Sequence, residues 1–206
     1  APDLAAAVTE QLRQLALAHA EVAVVVGEHP DDHPGDHVEF LFTANPGAPL
    51  LPLSKVASGG ELARTMLALR LALMVDDEAA ATDGRVDTRT LVFDEVDAGI
   101  GGATALAVGR KLAQLARGRQ VLCVTHLAQL AAHADAHFVV TKGSRGGGGV
   151  RDGGEGVRAT VRRLAEPERV TELSRMLSGS VDSVVAAEHA AELLANALAD
   201  RSSASQ

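Results

Sequence analysis

The second half of the chain is cut into short apolar runs that stop abruptly on polar chemistry. Thr90–Phe93 breaks off into Asp94-Glu95, and residues 120–124 break off into Thr125-His126. A third run, 138–141, follows a short stretch carrying Leu127, Leu130 and Ala131. Runs this short fit strands, whereas the segment from about 103 to 117 has helical length. Strand, helix, strand, helix, strand in this rhythm predicts an α/β fold with a parallel sheet, because parallel strands need crossovers of that size. Ligands of open parallel sheets collect at the carboxyl ends of the strands. The acids and the histidine fall on that edge.

The first half prepares a helix and a hairpin. Leu4, Val8, Leu12 and Leu15 recur at helical spacing, predicting a helix over 3–18. Valine-rich 21–26 and residues 37–42 read as strands of an antiparallel hairpin, joined by a segment with two prolines at 27–36. Residues 44–53 carry three prolines and read as an extended connection. A helix is expected over 59–74 with Leu62, Met66, Leu69 and Leu73 on one face, followed by a polar loop at 76–88. Beyond the third short strand, glycine dominates 142–156, which reads as a loop. A strand at 157–164 and helices at 167–177 and 181–198 complete the expectation, with a polar tail at 201–206.

Composition narrows the function classes. The 206 residues are 47% hydrophobic, so the chain can build a core. Aromatics make up 2%, with no Trp or Tyr, so that core is built from Leu, Val and Ala. The same scarcity removes the stacking platforms used on single-stranded nucleic acid. A net charge of -8 argues against a broad phosphate-binding surface. The single cysteine, Cys123, excludes an internal disulfide framework, fits a reducing cytosol and reads as inert core. No apolar run approaches the roughly 20 residues of a membrane span, and no signal peptide opens the chain. The start at Ala1-Pro2, without Met, suggests a fragment or a processed terminus.

Three stretches carry chemistry. In Leu53-Ser54-Lys55-Val56-Ala57-Ser58-Gly59-Gly60-Glu61-Leu62, two glycines open a helix whose free N–H groups favour an anion. Ser58 and Glu61 also have the spacing of a capping box, so a plain helix cap is the competing reading. In Thr90 to Asp97, two adjacent acids end an apolar strand, a place where carboxylates are paired, bound to metal or used in chemistry unless they simply face solvent. At Thr125-His126 the histidine lies on the same sheet edge, where it could meet a terminal phosphate or an attacking water; a lone histidine is more often structural.

Taken together, these segments resemble the ABC-type ATPases. Ser58-Gly59-Gly60-Glu61 resembles their signature motif, Leu91 to Glu95 their Walker B strand with its catalytic acid, Val96 to Gly102 their D-loop, and Thr125-His126 their switch histidine. The wording around them, Leu53 to Arg64, Phe93 to Gly102 and Val124 to Gln129, resembles the RecN family, SMC-related proteins acting in repair of DNA double-strand breaks. The likeness runs from the first helix through the terminal helices. It implies a P-loop-type ATPase head lobe with three parts: the end of a coiled-coil helix at 1–20, the C-terminal lobe at 21–200 and a polar tail at 201–206.

By the same resemblance the cofactors are ATP and Mg²⁺. Asp94 would hold the metal, Glu95 would activate water and His126 would sense the γ-phosphate. Ser58, Gly59, Gly60 and Glu61 would close over the ATP of a second head, and Asp97 would help couple the two sites. The implied partners are the N-terminal half of the same head, a second identical head and, through the complete protein, DNA; the implied location is the bacterial cytoplasm, at the nucleoid. No Gly-x-x-x-x-Gly-Lys-Ser/Thr loop occurs in the chain, so the main phosphate cradle lies elsewhere and this chain alone is expected to be inactive. Ala128 stands where the family pattern suggests Pro. The alternatives are the nucleotide-binding subunit of a transporter and a non-enzymatic dimerisation fragment. Three weaker features remain. His29, His33 and His37 are four apart, but the prolines between them forbid a ligating helix. Arg158, Arg162 and Arg163 read as a solvated strand face, and Gly146 to Gly149 as a flexible loop.

Overall fold

The computed structural model describes residues 1–28, 36–56, 58–80, 90–143, 158–180 and 182–203. Helix α1 (Pro2–Gln14) starts with proline in its first turn, where the missing N–H is harmless, and ends with Arg13 in its last. Its apolar stripe buries Val8 and Leu12, and Ala16 then takes a left-handed conformation (φ 62°) that turns the chain back. Thr9 Oγ1 accepts the Val22 N–H at 3.3 Å, tying α1 to the strand that follows.

Strands β1 (Glu21–Glu28) and β2 (Asp36–Thr43) pair antiparallel from Glu21↔Thr43 to Glu28↔Asp36, the expected hairpin. The proline-rich connection is less extended than its composition suggests. It adds a two-residue strand, β3 (Leu51–Pro52), to β2 and then makes one turn of helix, α2 (Leu53–Val56). Helix α3 (Gly59–Ala80) outruns its expected end, so residues 76–80 are helical and 81–89 lie outside the described residues.

Strands β4 (Thr90–Phe93) and β5 (Gln120–Cys123) form the predicted parallel pair, in register Thr90↔Gln120 to Phe93↔Cys123. Helix α4 (Gly102–Leu115) is the crossover between them. Strand alternation sends Leu91, Phe93, Val121 and Cys123 toward the main core. Val92, Leu122 and Val124 take the opposite face and stay exposed, Val92 at 65%.

The third strand departs from expectation. After the single turn α5 (Ala128–Ala131), β6 (Phe138–Gly143) does not extend the parallel pair. It runs antiparallel to β7 (Arg158–Arg163) over six residue pairs, with the hydroxyls of Thr141 and Thr160 2.6 Å apart. A neighbouring strand offering a complete antiparallel ladder wins over a crossover built on four helical residues.

Helices α6 (Glu166–Ser178) and α7 (Val184–Ser203) close the structure. The expected tail is helical through Ser203, and 204–206 lie outside the described residues. α6 is held down by Arg169, a buried guanidinium whose Nη2 donates to Ala132 O at 3.3 Å and Ala134 O at 2.8 Å. Two apolar clusters result. The larger joins α1, β2, α3, β4 and α4 through Leu12, Phe42, Leu67, Phe93, Val96 and Leu115. The smaller packs α5, α6 and α7, with Leu173 and Leu193 set against Ala128, Ala131 and Ala190, whose small side chains let the helices approach closely. Among the described residues no helix is long and apolar enough to cross a membrane.

Candidate functional site

Strands β4 and β5 deliver their polar termini to one edge. Asp94 follows Phe93 directly, and one of its oxygens accepts the Glu95 N–H at 3.0 Å. Glu95 sits in the left-handed region (φ 59°), an unfavourable conformation for a residue with a Cβ, by about 1–2 kcal/mol. The turn is pinned by Val96, which is fully buried. Beyond it Asp97 turns inward. Its Oδ2 accepts the Thr125 hydroxyl at 2.5 Å and the His126 backbone N–H at 3.0 Å, and lies 3.0 Å from His126 Nδ1. Thr125 Oγ1 in turn accepts the Leu127 N–H at 3.0 Å. The Val124 N–H donates to Phe93 O at 2.9 Å, carrying the ladder up to the site. One buried carboxylate thus ties the end of β4 to the end of β5, while the imidazole it holds is 75% exposed.

The start of α3 meets the same edge. Ser58 and Glu61 form the capping box: Ser58 N–H donates to Glu61 Oε2 at 2.8 Å and Glu61 N–H to Ser58 Oγ at 3.4 Å. The cap reading and the site reading therefore hold together, for the box also frames two glycines. A Cβ on Gly60 would lie 2.9 Å from both Ala98 Cβ and Ala98 O. A Cβ on Gly59 would collide with Glu95 Oε2. Arg64, one turn further along α3, is buried and donates from Nη1 to Ala98 O at 2.8 Å. Burial pulls its guanidinium pKa below the ordinary value, and Glu61 partly offsets this.

Beside these contacts a cleft of about 350 Å³ runs between α3 and β4, lined by Gly59, Leu62, Met66, Arg70, Val92 and Asp94. It explains the second face of α3. The core takes Arg64, Leu67, Ala68, Leu71 and Ala72, while Leu62, Met66 and Leu73 stay over a third exposed. The apolar face read from the sequence is therefore largely the one turned away from the core. Cys123 lies under the site, half-buried; burial first, then Asp97 and Asp94, push its thiol up to about 12.

All of the residues singled out from the motifs gather here. Asp94, Glu95 and His126 are exposed at the strand ends, and Ser58, Gly59, Gly60 and Glu61 open the adjacent helix. Asp97 faces inward, toward the histidine. Sequence reasoning gave no role to Arg64 or Thr125, whose partners lie 34 and 28 residues away. The only advance signal was a charged residue on the buried side of α3. Magnesium is satisfied by one or two carboxylates together with phosphate and water, so the single exposed carboxylate of Asp94 at a strand end fits it. Among the described residues no cluster of three or more His, Cys, Asp or Glu could hold a metal by itself. His29 and His33 lie outside the described residues, as do Gly146 to Gly149. Arg158, Arg162 and Arg163 are exposed, and Arg162 pairs with Glu168 at 2.6 Å, as a solvated face would.

No family model matches the chain. It is 44% identical over 211 residues to the DNA repair protein RecN of Streptomyces coelicolor, covering 96% of this chain and 34% of that protein. It is 43% identical over 216 residues to the DNA repair protein RecN of Mycobacterium tuberculosis, with the same two coverages. The chain thus spans about a third of the length of the curated relatives it matches. Among solved structures, the Smc head domain with a coiled coil and joint from Pyrococcus yayanosii superposes with a TM-score of 0.52 at 22% identity, covering 80% of this chain and 27% of that one. The α/β fold is that of part of an SMC head.

Proposed function

The chain is kin to the RecN DNA repair proteins over nearly its whole length, and from that premise we propose that it is the C-terminal lobe of an SMC-like ATPase head acting in double-strand break repair. The observation that carries the proposal is the junction at the strand ends. Asp94 and Glu95 end β4, His126 ends β5, and Asp97 joins them on the side of the sheet where a phosphate chain binds. ATP is bound by the complete head, with the phosphate loop supplied by an N-terminal half. Asp94 holds Mg²⁺, which when bound neutralises phosphate charge. Glu95 orients and deprotonates the attacking water, and His126 contacts the γ-phosphate. In the single chain the Glu95 carboxylate leans on Gly59, so it turns away from α3 to act. The helix start at Ser58, Gly59, Gly60 and Glu61 closes over the nucleotide of a second, identical head, its N–H groups aimed at phosphate. Coupled opening and closing of the heads is then the output delivered to DNA, in the bacterial cytoplasm at the nucleoid.

The bare faces support the missing-half part of this reading. A parallel pair is normally covered on both sides. Here Val92, Leu122 and Val124 are open, as are Leu62, Met66 and Leu73, and Val92 shares a cleft with Leu62 and Met66. An N-terminal half packed on them completes the sheet, and α1 continues outward as the end of a coiled coil. Kinship with DNA repair proteins favours this reading over a transporter subunit.

ATP turnover by this chain, alone and mixed with a matching half that carries a phosphate loop, tests the proposal. Silence alone and turnover in the mixture, rising with added DNA, is the expected result. Glu95→Gln in the mixture lowers kcat by about a hundredfold or more while nucleotide still binds. Unchanged turnover in that variant would remove Glu95 from the chemistry and leave a dimerisation fragment as the better reading.

A further inference from the structure

Asp97, expected to help couple two heads across a nucleotide, has in the single chain a buried carboxylate that holds Thr125 and His126. It is 5% exposed, and the three contacts recorded for it all fall on one oxygen, Oδ2, from Thr125 Oγ1, His126 N and His126 Nδ1. We propose that Asp97, seconded by Thr125, is the positioning residue of the switch histidine: it selects the Nδ1–H form of His126 and aims Nε2 at the terminal phosphate or its attacking water. The inference rests on the ATPase reading for its consequence, though its geometry does not.

The chemistry follows from donor counting. A carboxylate accepts only, so the proton in the 3.0 Å contact belongs to imidazole Nδ1. A neutral ring then presents Nε2 as an acceptor, outward, on a side chain three-quarters exposed. The backbone N–H of His126 ends on the same oxygen, so the ring cannot rotate about its first side-chain bond without leaving an anchor fixed on both sides. The Thr125 hydroxyl is a second guy-line. It donates to Asp97 and accepts from Leu127, which locks the backbone on both sides of the histidine. Outer partners that orient a functional histidine typically change activity by 10–100-fold when removed, by analogy with metal-bound histidines.

The test uses the complete protein. Long-range ¹H–¹⁵N correlation on the His126 ring reads the tautomer directly. The expected result is a pyrrole-like Nδ1 and a pyridine-like Nε2. Asp97→Asn retains an acceptor oxygen and keeps that pattern, and Asp97→Ala loses it. In turnover, Asp97→Ala lowers kcat about 10–100-fold and leaves KM within about twofold, because the histidine still present is merely misaimed. Adding His126→Ala to it costs no further activity, as expected of residues acting as one unit. Should Asp97→Ala fold poorly, Thr125→Val removes one anchor with little change of volume and is read the same way, with a smaller effect. An unchanged ring pattern in Asp97→Ala, or additive losses in the double variant, overturns the proposal. Failure of the ATPase reading is distinguishable, since it shows as unchanged turnover in Glu95→Gln whatever the ring spectrum reports.

Discussion

Gly60 has no room for a side chain. A methyl there would press on both the Cβ and the carbonyl oxygen of Ala98, and that oxygen is held in place by Arg64. Gly60→Ala is therefore expected to destabilise the chain by about 1–3 kcal/mol, read as a lower urea midpoint at unchanged slope, even though alanine favours helices in general. Cys123 gives a second expectation at this scale. Its thiol titrates at about 12 in the fold against 9.0 for the ordinary group, so the folded state holds the proton more tightly. The associated stability is fully present below pH 9 and is lost as pH rises from 9 toward 12, and Cys123→Ala should flatten that part of the stability profile. At pH 8 the reactive thiolate is roughly a thousandfold scarcer in the native chain than in urea, so native alkylation should be slower by orders of magnitude. The placement of Asp94, Glu95 and His126 was legible in the sequence, because each follows closely on an apolar strand and parallel pairing brings such ends to one edge. Arg64 and Thr125 were not, since their meaning lies in partners 34 and 28 residues away that only tertiary folding brings close.

Among the elements, α3 and the β4–β5 pair share one property, an apolar surface on two sides. A helix or parallel strand apolar all round is ordinarily buried all round. The periodicity of Leu62, Met66, Leu69 and Leu73 correctly predicted a helix, yet it marked mostly the outward face. Hydrophobic spacing identifies a stripe and says nothing of which neighbour covers it. The pairing of β6 was illegible for a related reason. Apolar runs look alike whether they extend a parallel sheet or take the next strand as an antiparallel partner, as β6 takes β7. The two-sided elements give a clean test. Val92→Lys places a charge on an exposed position and should leave the melting of this chain within about 0.5 kcal/mol of the original. The same substitution should weaken association with the complementing half, measured by titration calorimetry, because it then buries an unpaired ammonium. Equal association by both chains would mean that this face is not the one covered.

At the scale of the whole molecule, the order of elements along the chain, β3 and α2 apart, and the parallel β4–β5 unit were read from the sequence, and the division of the interior into two clusters was not. Alanine-rich helices such as α7 show little periodic contrast, so their buried side emerges only once they are packed. The two clusters meet at α4, whose Leu106 packs against the smaller cluster while Ala105 and Val108 belong to the larger, and at the short α5. Leu130 of α5 belongs to the larger cluster, while Ala128 and Ala131 of the same single turn belong to the smaller. A turn of helix wedged between two interiors cannot come loose from one without opening the other. Heating should therefore give one calorimetric transition, with the van't Hoff enthalpy matching the calorimetric one, where two independent interiors would give two. That turn begins two residues after His126, so any ligand gripping the histidine should raise the melting temperature of the terminal helices along with that of the sheet.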